Sequence, residues 1–380
     1  MASGPLAGVK VLEFAGIGPG PLVGMMLSDM GANVLRIERK GAPDPAPERL
    51  DARGRMAIEL DLKQSHSIEV CLGLCEYAEI VFEGNRPGVM ERLGLGPDAM
   101  LARNPRIVYG RMTGWGQSGP YAPYAGHDIN YLSLSGALHA IGTEERPVPP
   151  LNLVADYGGG AMFLLAGLLA GIIHSRASGK GQVIDAAMTD GAACLMTYYY
   201  GRFAAGGWMD GRRANLLDGG APFYDTYRCA DGKWISIGAL EPDFYALLLD
   251  RLGLAERLVQ PQMDQACWRD MHSNLHEVFA TRTRQEWCDL LEHTDACFAP
   301  VLSLAEAPAH PHNRARATFV DVAGVIQPAP APRFSETPSR IQWPPAPIVR
   351  DPRKALKDWG ISEEDVDGLW GDASQDRLAT

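Results

Sequence analysis

Val9-Lys10-Val11-Leu12-Glu13-Phe14-Ala15-Gly16-Ile17-Gly18-Pro19-Gly20-Pro21 is the stretch whose reading decides the fold. Residues 9–14 spell a short strand and 16–21 a turn rich in glycine and proline. Leu22 to Met30 then carries helical spacing that stops at Gly31. Asn33 to Glu38 is apolar enough for a second strand. Strand, glycine turn, helix and strand in that order begin a parallel α/β sheet. The same turn argues against a dinucleotide site. Glu38 lies 20 residues after Gly18, where a ribose-binding acid belongs, but Pro21 stands where the third glycine of the fingerprint is required. Arg36 and Arg39 flank that acid and suit a phosphate better than a ribose hydroxyl.

The pattern repeats downstream. Met56 to Leu60 reads as a strand, Ser65 to Tyr77 as a helix, and Glu79 to Glu83 as a strand opening into Gly84-Asn85-Arg86-Pro87-Gly88. Arg106 to Met112 is a further strand. Ligands of open α/β sheets bind beyond the carboxyl ends of the strands. Arg39, Lys63, Arg86 and Arg92 fall at or soon after such ends. Any one of them reads equally well as a solvated surface cation; four at equivalent places in an acidic chain point to an anion pocket. Ala161 to Ser175 is apolar on every helical face, the pattern of a buried helix. Val183-Ile184-Asp185 reads as a strand and Ala186 to Phe203 as one long helix leading away from the sheet. From about Pro222 the texture changes: residues 224–229 and 233–237 alternate around Asp231-Gly232, a hairpin signal, and helices follow through Leu291.

Size and composition bound the rest. A chain of 380 residues exceeds one hydrophobic core, so two domains are expected. The sequence divides into a large α/β domain over 1–190, a linker helix region over 191–219 and a small α+β domain over 220–320. A C-terminal return over 321–380 follows, its Pro-rich 326–351 segment extended across the first domain. The net charge of -11 argues against a nucleic-acid partner while leaving room for local basic pockets. Seven scattered cysteines without a Cys-x-x-Cys suggest neither a disulfide framework nor a zinc ribbon, and fit a reducing cytoplasm. No signal peptide is visible at the N-terminus. The Ala161–Ile173 apolar run falls short of the about 20 residues that span a bilayer, so no membrane is expected. The final residues do not spell a Ser-Lys-Leu address. Three catalytic motifs fail at one position each. Pro120 replaces the last glycine of a nucleophile elbow, and His174 the first glycine of a P-loop. Ser273 replaces the glutamate of His-Glu-x-x-His, which leaves His272 and His276 on an exposed helix face.

Two stretches hold candidate bases. Gly126-His127-Asp128-Ile129-Asn130-Tyr131 places His127 just after a glycine, and Asn152-Leu153-Val154-Ala155-Asp156-Tyr157-Gly158-Gly159-Gly160 places Asp156 just before a triple glycine and an apolar run. Loops tied to rigid elements often mount catalytic side chains. On position alone, His127 reads as an ordinary hydrogen-bonded histidine and Asp156 as a helix N-cap.

With these two stretches, Leu12 to Pro21, Glu83 to Val89, Arg111 to Gln117 and Ile237 to Tyr245, the chain resembles the α-methylacyl-CoA racemase family within the family III CoA-transferase superfamily, along nearly its whole length. The resemblance implies a Rossmann-like parallel sheet with a smaller domain, and two chains interlocked like links. Each active site would lie between one chain's large domain and the other's small domain. His127 would be one catalytic base, Asp156 the other, and Glu241 the partner of the histidine. Coenzyme A would be contacted by Arg39, Leu60, Asp61, Leu62, Lys63, Gly84, Asn85, Arg86 and Arg92, and by the backbone of Gly126, Asp128, Ile129, Asn130 and Tyr131. The substrate would be a 2-methylacyl-CoA, with no metal or redox cofactor, CoA being part of the substrate.

Inverting the α-carbon requires proton removal from one face and return to the other, hence two bases. Free imidazole and carboxyl groups titrate at about 6.5 and 3.9, so Asp156 must be raised towards neutrality, by burial and an apolar acyl group. Glu241 would orient His127 and stabilise its charged form. A backbone N–H near Asp128 would receive the enolate oxygen. In the rival reading, a CoA transferase, Asp156 attacks the thioester and carries the acyl group as an anhydride. Both chemistries use the aspartate; a second base favours racemisation, as does the lack of a glycine-rich run between 222 and 320. A non-catalytic CoA-binding protein fits poorly with all three catalytic positions being intact.

Overall fold

The computed structural model describes residues 3–258 and 260–370. It divides into two compact units, one of Met1–Ser135, Leu151–Leu195 and Ala317–Thr380, the other of Gly136–Pro150 and Met196–Arg316. The single helix expected over 186–203 is two, Met188–Leu195 and Thr197–Ala204, and the chain passes between units where it is interrupted. Residues 136–150, which the sequence reading placed in the large domain, belong to the second unit.

The first unit is built on six parallel strands: β1 (Lys10–Phe14), β2 (Asn33–Arg39), β3 (Met56–Leu60), β4 (Ile80–Glu83), β5 (Val108–Thr113) and β6 (Gln182–Ala187). Their order is β3-β2-β1-β4-β5-β6. Helices α1 (Pro19–Asp29) and α2 (Ser65–Tyr77) make two of the crossovers. A parallel sheet is covered on both faces, which is why β4 and β5 are buried at every residue. Val11 pairs with Val34 on one side and with Ile80 on the other. From β1 the chain winds outward to β2 and β3; from β4 it winds the opposite way. That reversal leaves a crevice at the carboxyl edge between β1 and β4.

One side of the sheet is filled by residues far apart in sequence, Leu12, Ile58, Leu74, Tyr109 and Trp359 among them. Trp359 Nε1 donates to the Asn33 carbonyl at 2.9 Å, fastening the end of the chain to β2. Parts of the Pro-rich segment lie against this unit: Val349 N–H donates to Ala57 O of β3, and the Gln342 amide reaches the carbonyls of Ser28 and Ala32. Residues 371–380 of that return lie outside the described residues.

The apolar run around 161–173 extends further than its composition suggested. Leu153–Ala161 is a π-helix that continues directly into the α-helix Met162–Ser178, giving 26 residues, long and apolar enough by those criteria to cross a membrane. Within the fold this helix lies on β5 and β6 at distances that only glycine permits. A Cβ at Gly110 would stand 2.7 Å from Leu164 Cδ1, and one at Gly171 2.5 Å from Val108 Cγ1.

The second unit holds an antiparallel sheet of β7 (Tyr224–Arg228), β8 (Trp234–Gly238) and β9 (Phe298–Pro300), in which β7 and β8 are the expected hairpin. Three residues are too few to betray β9 in sequence. Helices Pro242–Leu252, Trp268–Phe279 and Arg284–Leu291 enclose a core of Phe223, Tyr227, Trp268, Phe279 and Trp287. His272 departs from the exposed face expected of it. Its ring lies 3.1 Å from the Tyr227 hydroxyl and 3.2 Å from the Gly220 carbonyl, and burial lowers its pKa. His276, one turn on, is exposed.

Candidate active site

The site begins at the switch point. After β1 the chain turns through Gly16 and Gly18 into α1, where Pro19 starts the helix without losing a bonded N–H. Gly18 has φ +70°, a backbone that glycine adopts freely. A Cβ at Gly16 would stand 4.0 Å from Gly84 Cα, so the loops after β1 and β4 meet across the crevice. Into this place comes Asp156: its Oδ2 lies 3.6 Å from where a Cβ on Gly18 would be.

Asp156 is not the helix N-cap that its position suggested. It lies inside the π-helix, whose N-cap is Asn152, because the helical pairing starts at Leu153, ahead of the apolar run that begins at Ala161. Tyr157 N–H donates to Asn152 O at 3.2 Å. Single turns of π-helix recur at functional sites, where they redirect a side chain. The N–H groups of Ala155 and Asp156 are taken instead by Asp128 Oδ2, at 2.9 and 2.7 Å.

Burial and then the Asp128 carboxylate push the Asp156 carboxyl above the usual carboxylate range; a hydrogen bond from the Asn152 side chain and the positive charge of His127 oppose the shift. His127, Asp128, Asn152 and Asp156 therefore act on one another electrostatically within the first unit. His127 is exposed, and its N–H donates to Asn130 Oδ1 at 3.0 Å as the helix Asp128–Ser135 begins. The Tyr131 hydroxyl donates to the Gly126 carbonyl, and its ring meets Trp115 edge-on at 4.7 Å. A Cβ at Gly114 would stand 2.1 Å from the same ring, so this aromatic wedge against the turn before His127 tolerates no side chain there.

A raised carboxyl pKa has a consequence for stability. The native state binds the Asp156 proton more tightly than the unfolded chain does, so its contribution falls as pH rises from the unfolded value through the native one. Asp156→Asn is therefore expected to be more stable than the wild type near pH 7, with the difference vanishing once both states are protonated. Thermal unfolding of the two proteins across that range checks this; an advantage that persists unchanged in acid contradicts it.

Three of the four cations expected to bind an anion lie at or just after strand ends, and Arg92 ends the short helix Val89–Arg92. Arg39 ends β2, while Lys63 and Arg86 follow the ends of β3 and β4 within three residues; these and Arg92 are exposed. Arg36 does not join them. Its guanidinium lies 2.6 Å from Glu38 and 3.3 Å from the buried Glu13, which removes it from phosphate recognition. Leu60 departs from the contact expected of it: the residue is 3% exposed and belongs to the core. Leu62 packs against the same cluster, while Asp61 Oδ1 accepts the Lys63 N–H at 3.1 Å. Gly84 is exposed, and Asn85 N–H donates to Glu83 Oε2 at 2.5 Å. Ile129 and Asn130 are exposed on the first helical turn after His127. Glu241 belongs to the second unit, where it is the exposed N-cap of Pro242–Leu252.

Sequence reasoning missed the group that shapes the Gly84–Arg86 loop. Buried Arg111 lies 3.3 Å from Glu83 and 2.7 Å from Glu91, and this pairing with the Asn85 N–H secures the Glu83 carboxylate beneath the loop. The pairing of Glu83 with Arg111 follows from the β4–β5 register, which composition does not reveal.

A family model described as CoA-transferase family III matches residues 6–350. The chain belongs to the CoA-transferase family III. Two relatives are similar over nearly all of it: the α-methylacyl-CoA racemase of Mus musculus, 44% identical over 97% of this chain and 96% of that one, and the α-methylacyl-CoA racemase of Homo sapiens, 41% identical over 95% of each. Among solved structures, a CaiB/BaiF family protein from Brucella suis shares the fold, with a TM-score of 0.81 and 24% identity across 94% of this chain and 100% of its own.

Proposed function

We propose that this family III chain is an α-methylacyl-CoA racemase that inverts the α-carbon of 2-methylacyl-CoA thioesters by proton transfer between two bases. The observation that carries the reading is the Asp156 carboxyl at the sheet's switch point, raised by burial and felt by His127. One base must be protonated while the other is not. A carboxyl held above its usual range, by burial and by the Asp128 carboxylate, keeps its proton to higher pH than a free one and so favours the donating role. His127 and Asp156 then exchange roles with the direction of reaction. The thioester oxygen, negative in the enolate, is met by a backbone N–H at the start of Asp128–Ser135, where helical N–H groups have no partner within the helix.

The adenosine phosphates and pantetheine of the substrate lie along Arg39, Lys63, Arg86 and Arg92, whose charges follow the sheet's carboxyl edge. No metal or redox group is needed for the step. A second copy of the chain supplies Glu241 to His127 in an interlocked homodimer; the resemblance supports this. So do Tyr198, Tyr200 and Phe203, each more than half exposed on the helix Thr197–Ala204, an apolar surface of the kind that oligomers cover. The enzyme works in the cytoplasm, without nucleic-acid or membrane partners.

Incubating one epimer of a 2-methylacyl-CoA with the protein and no other acid tests this. Chiral analysis should show both epimers approaching equal amounts. Inversion that never occurs, with acyl transfer once an acceptor carboxylate is added, reassigns Asp156 to the anhydride chemistry of a transferase.

A further inference from the structure

Asp128 follows the proposed histidine base directly, yet the reaction as derived uses only its backbone. The residue is 8% exposed. Oδ2 accepts the Ala155 and Asp156 N–H groups, while Oδ1 is buried and, among the described residues, has no hydrogen-bond partner. Holding two N–H groups does not need a charge, since a neutral side-chain oxygen caps a helical turn as well. A carboxylate with one oxygen left without a donor is costly to bury, and this one stands beside a second carboxyl group.

We propose that Asp128 is a positioning residue for proton return by Asp156: Oδ2 fixes the backbone that carries Asp156, and the negative charge of the Asp128 carboxylate favours the proton-donating form of Asp156. This rests on the racemase reading and deepens it. Two neighbouring carboxyl groups resist ionising together. In the donating direction the Asp156 O–H bond breaks as the enolate electron pair forms the new C2–H bond, leaving the Asp156 carboxylate. Asp128 favours the protonated form of Asp156 before that step.

The other groups facing Asp156 do not supply this effect. His127 and the Asn152 side chain favour its ionised form. Tyr131, on the same helix as Asp128, is held neutral by burial and by Asp156, against the opposing charge of Arg86. From α1 comes Gly18, in a first turn without acidic residues. The helix Met188–Leu195 presents the backbone of Gly191 and Ala192 to the π-helix.

The test compares wild type, Asp128→Asn and Asp128→Ser, with thermal unfolding and CoA binding as controls on folding. The Asp156 carboxyl is titrated by carbon NMR of aspartate-labelled protein, its resonance assigned by its loss in Asp156→Asn. The midpoint should lie lower in Asp128→Asn than in wild type. The alkaline limb of the reaction that uses Asp156 as donor should move to lower pH, with a loss on the order of tenfold near neutrality. That is less than the about 10²–10⁴ that a general acid contributes, and KM should change little. An equal midpoint in wild type and variant overturns the proposal, as does a variant whose only defect is lowered melting temperature. Should Asp128→Asn not fold, the titration of Asp128→Ser decides in the same way. If the wild type exchanges no α-proton, the racemase reading fails by itself while the titration still decides the role of Asp128.

Discussion

Asp156→Ala is expected to lower α-proton exchange in a 2-methylacyl-CoA by about 10²–10⁴-fold, the usual contribution of a positioned proton-transfer group. CoA affinity should be essentially unchanged. The separation follows from where the groups sit. The cations at the ends of β2, β3 and β4 lie on the sheet's carboxyl edge, whereas Asp156 enters the crevice from the π-helix beside Gly18. Removing its carboxyl takes no charge from the cationic edge. Isotope exchange and calorimetric CoA binding on the same preparation separate the two effects. Turnover that survives in Asp156→Ala removes both the racemase and the transferase readings, since each needs this carboxyl.

The largest expected loss of stability lies beneath the same crevice. Glu13 on β1 is 1% exposed and accepts two hydrogen bonds from Arg55 Nη1, at 2.6 and 2.7 Å, while Arg36 approaches from β2 at 3.3 Å. Gly24 of α1 lies against this pair; a Cβ there would stand 2.3 Å from Glu13 Oε2. Breaking a buried pair by removing one partner costs about 3–5 kcal/mol, because the other charge is left uncompensated. Glu13→Ala strands Arg55, which is wholly enclosed, and an effect of that size is expected in urea unfolding. The double variant Glu13→Leu with Arg55→Met, which removes both charges and keeps most of the volume, should lose less. A single variant within about 1 kcal/mol of wild type, the scale of an exposed pair, would contradict the account.

Much of the first unit was legible from local pattern. Met56–Leu60 and Ser65–Tyr77 fall on their expected bounds because a short alternating strand and an apolar helical run declare themselves within a few residues. The interruption after Leu195 did not, since apolar helical spacing continues through it; the chain changes units there for tertiary reasons. The π-helix was illegible for a related reason. Its apolar residues suit an α-helix equally well, and the Asp128 side chain that takes two of its first N–H groups lies 27 and 28 residues away in sequence. Candidate bases were readable as residue types near glycines, and their assignment came from resemblance. Arg36 illustrates the opposite failure: a cation at the right distance from a glycine turn is indistinguishable in sequence from a ligand, until strand register places Glu13 beside it.

Running the epimerisation in deuterium oxide decides whether two bases on opposite faces of one carbon exchange protons through an enolate. Proton NMR of a single starting epimer should show the inverted product carrying deuterium at C2, formed without any acceptor acid. Inverted product that retains the original hydrogen, or an absolute requirement for an acceptor carboxylate, would contradict it.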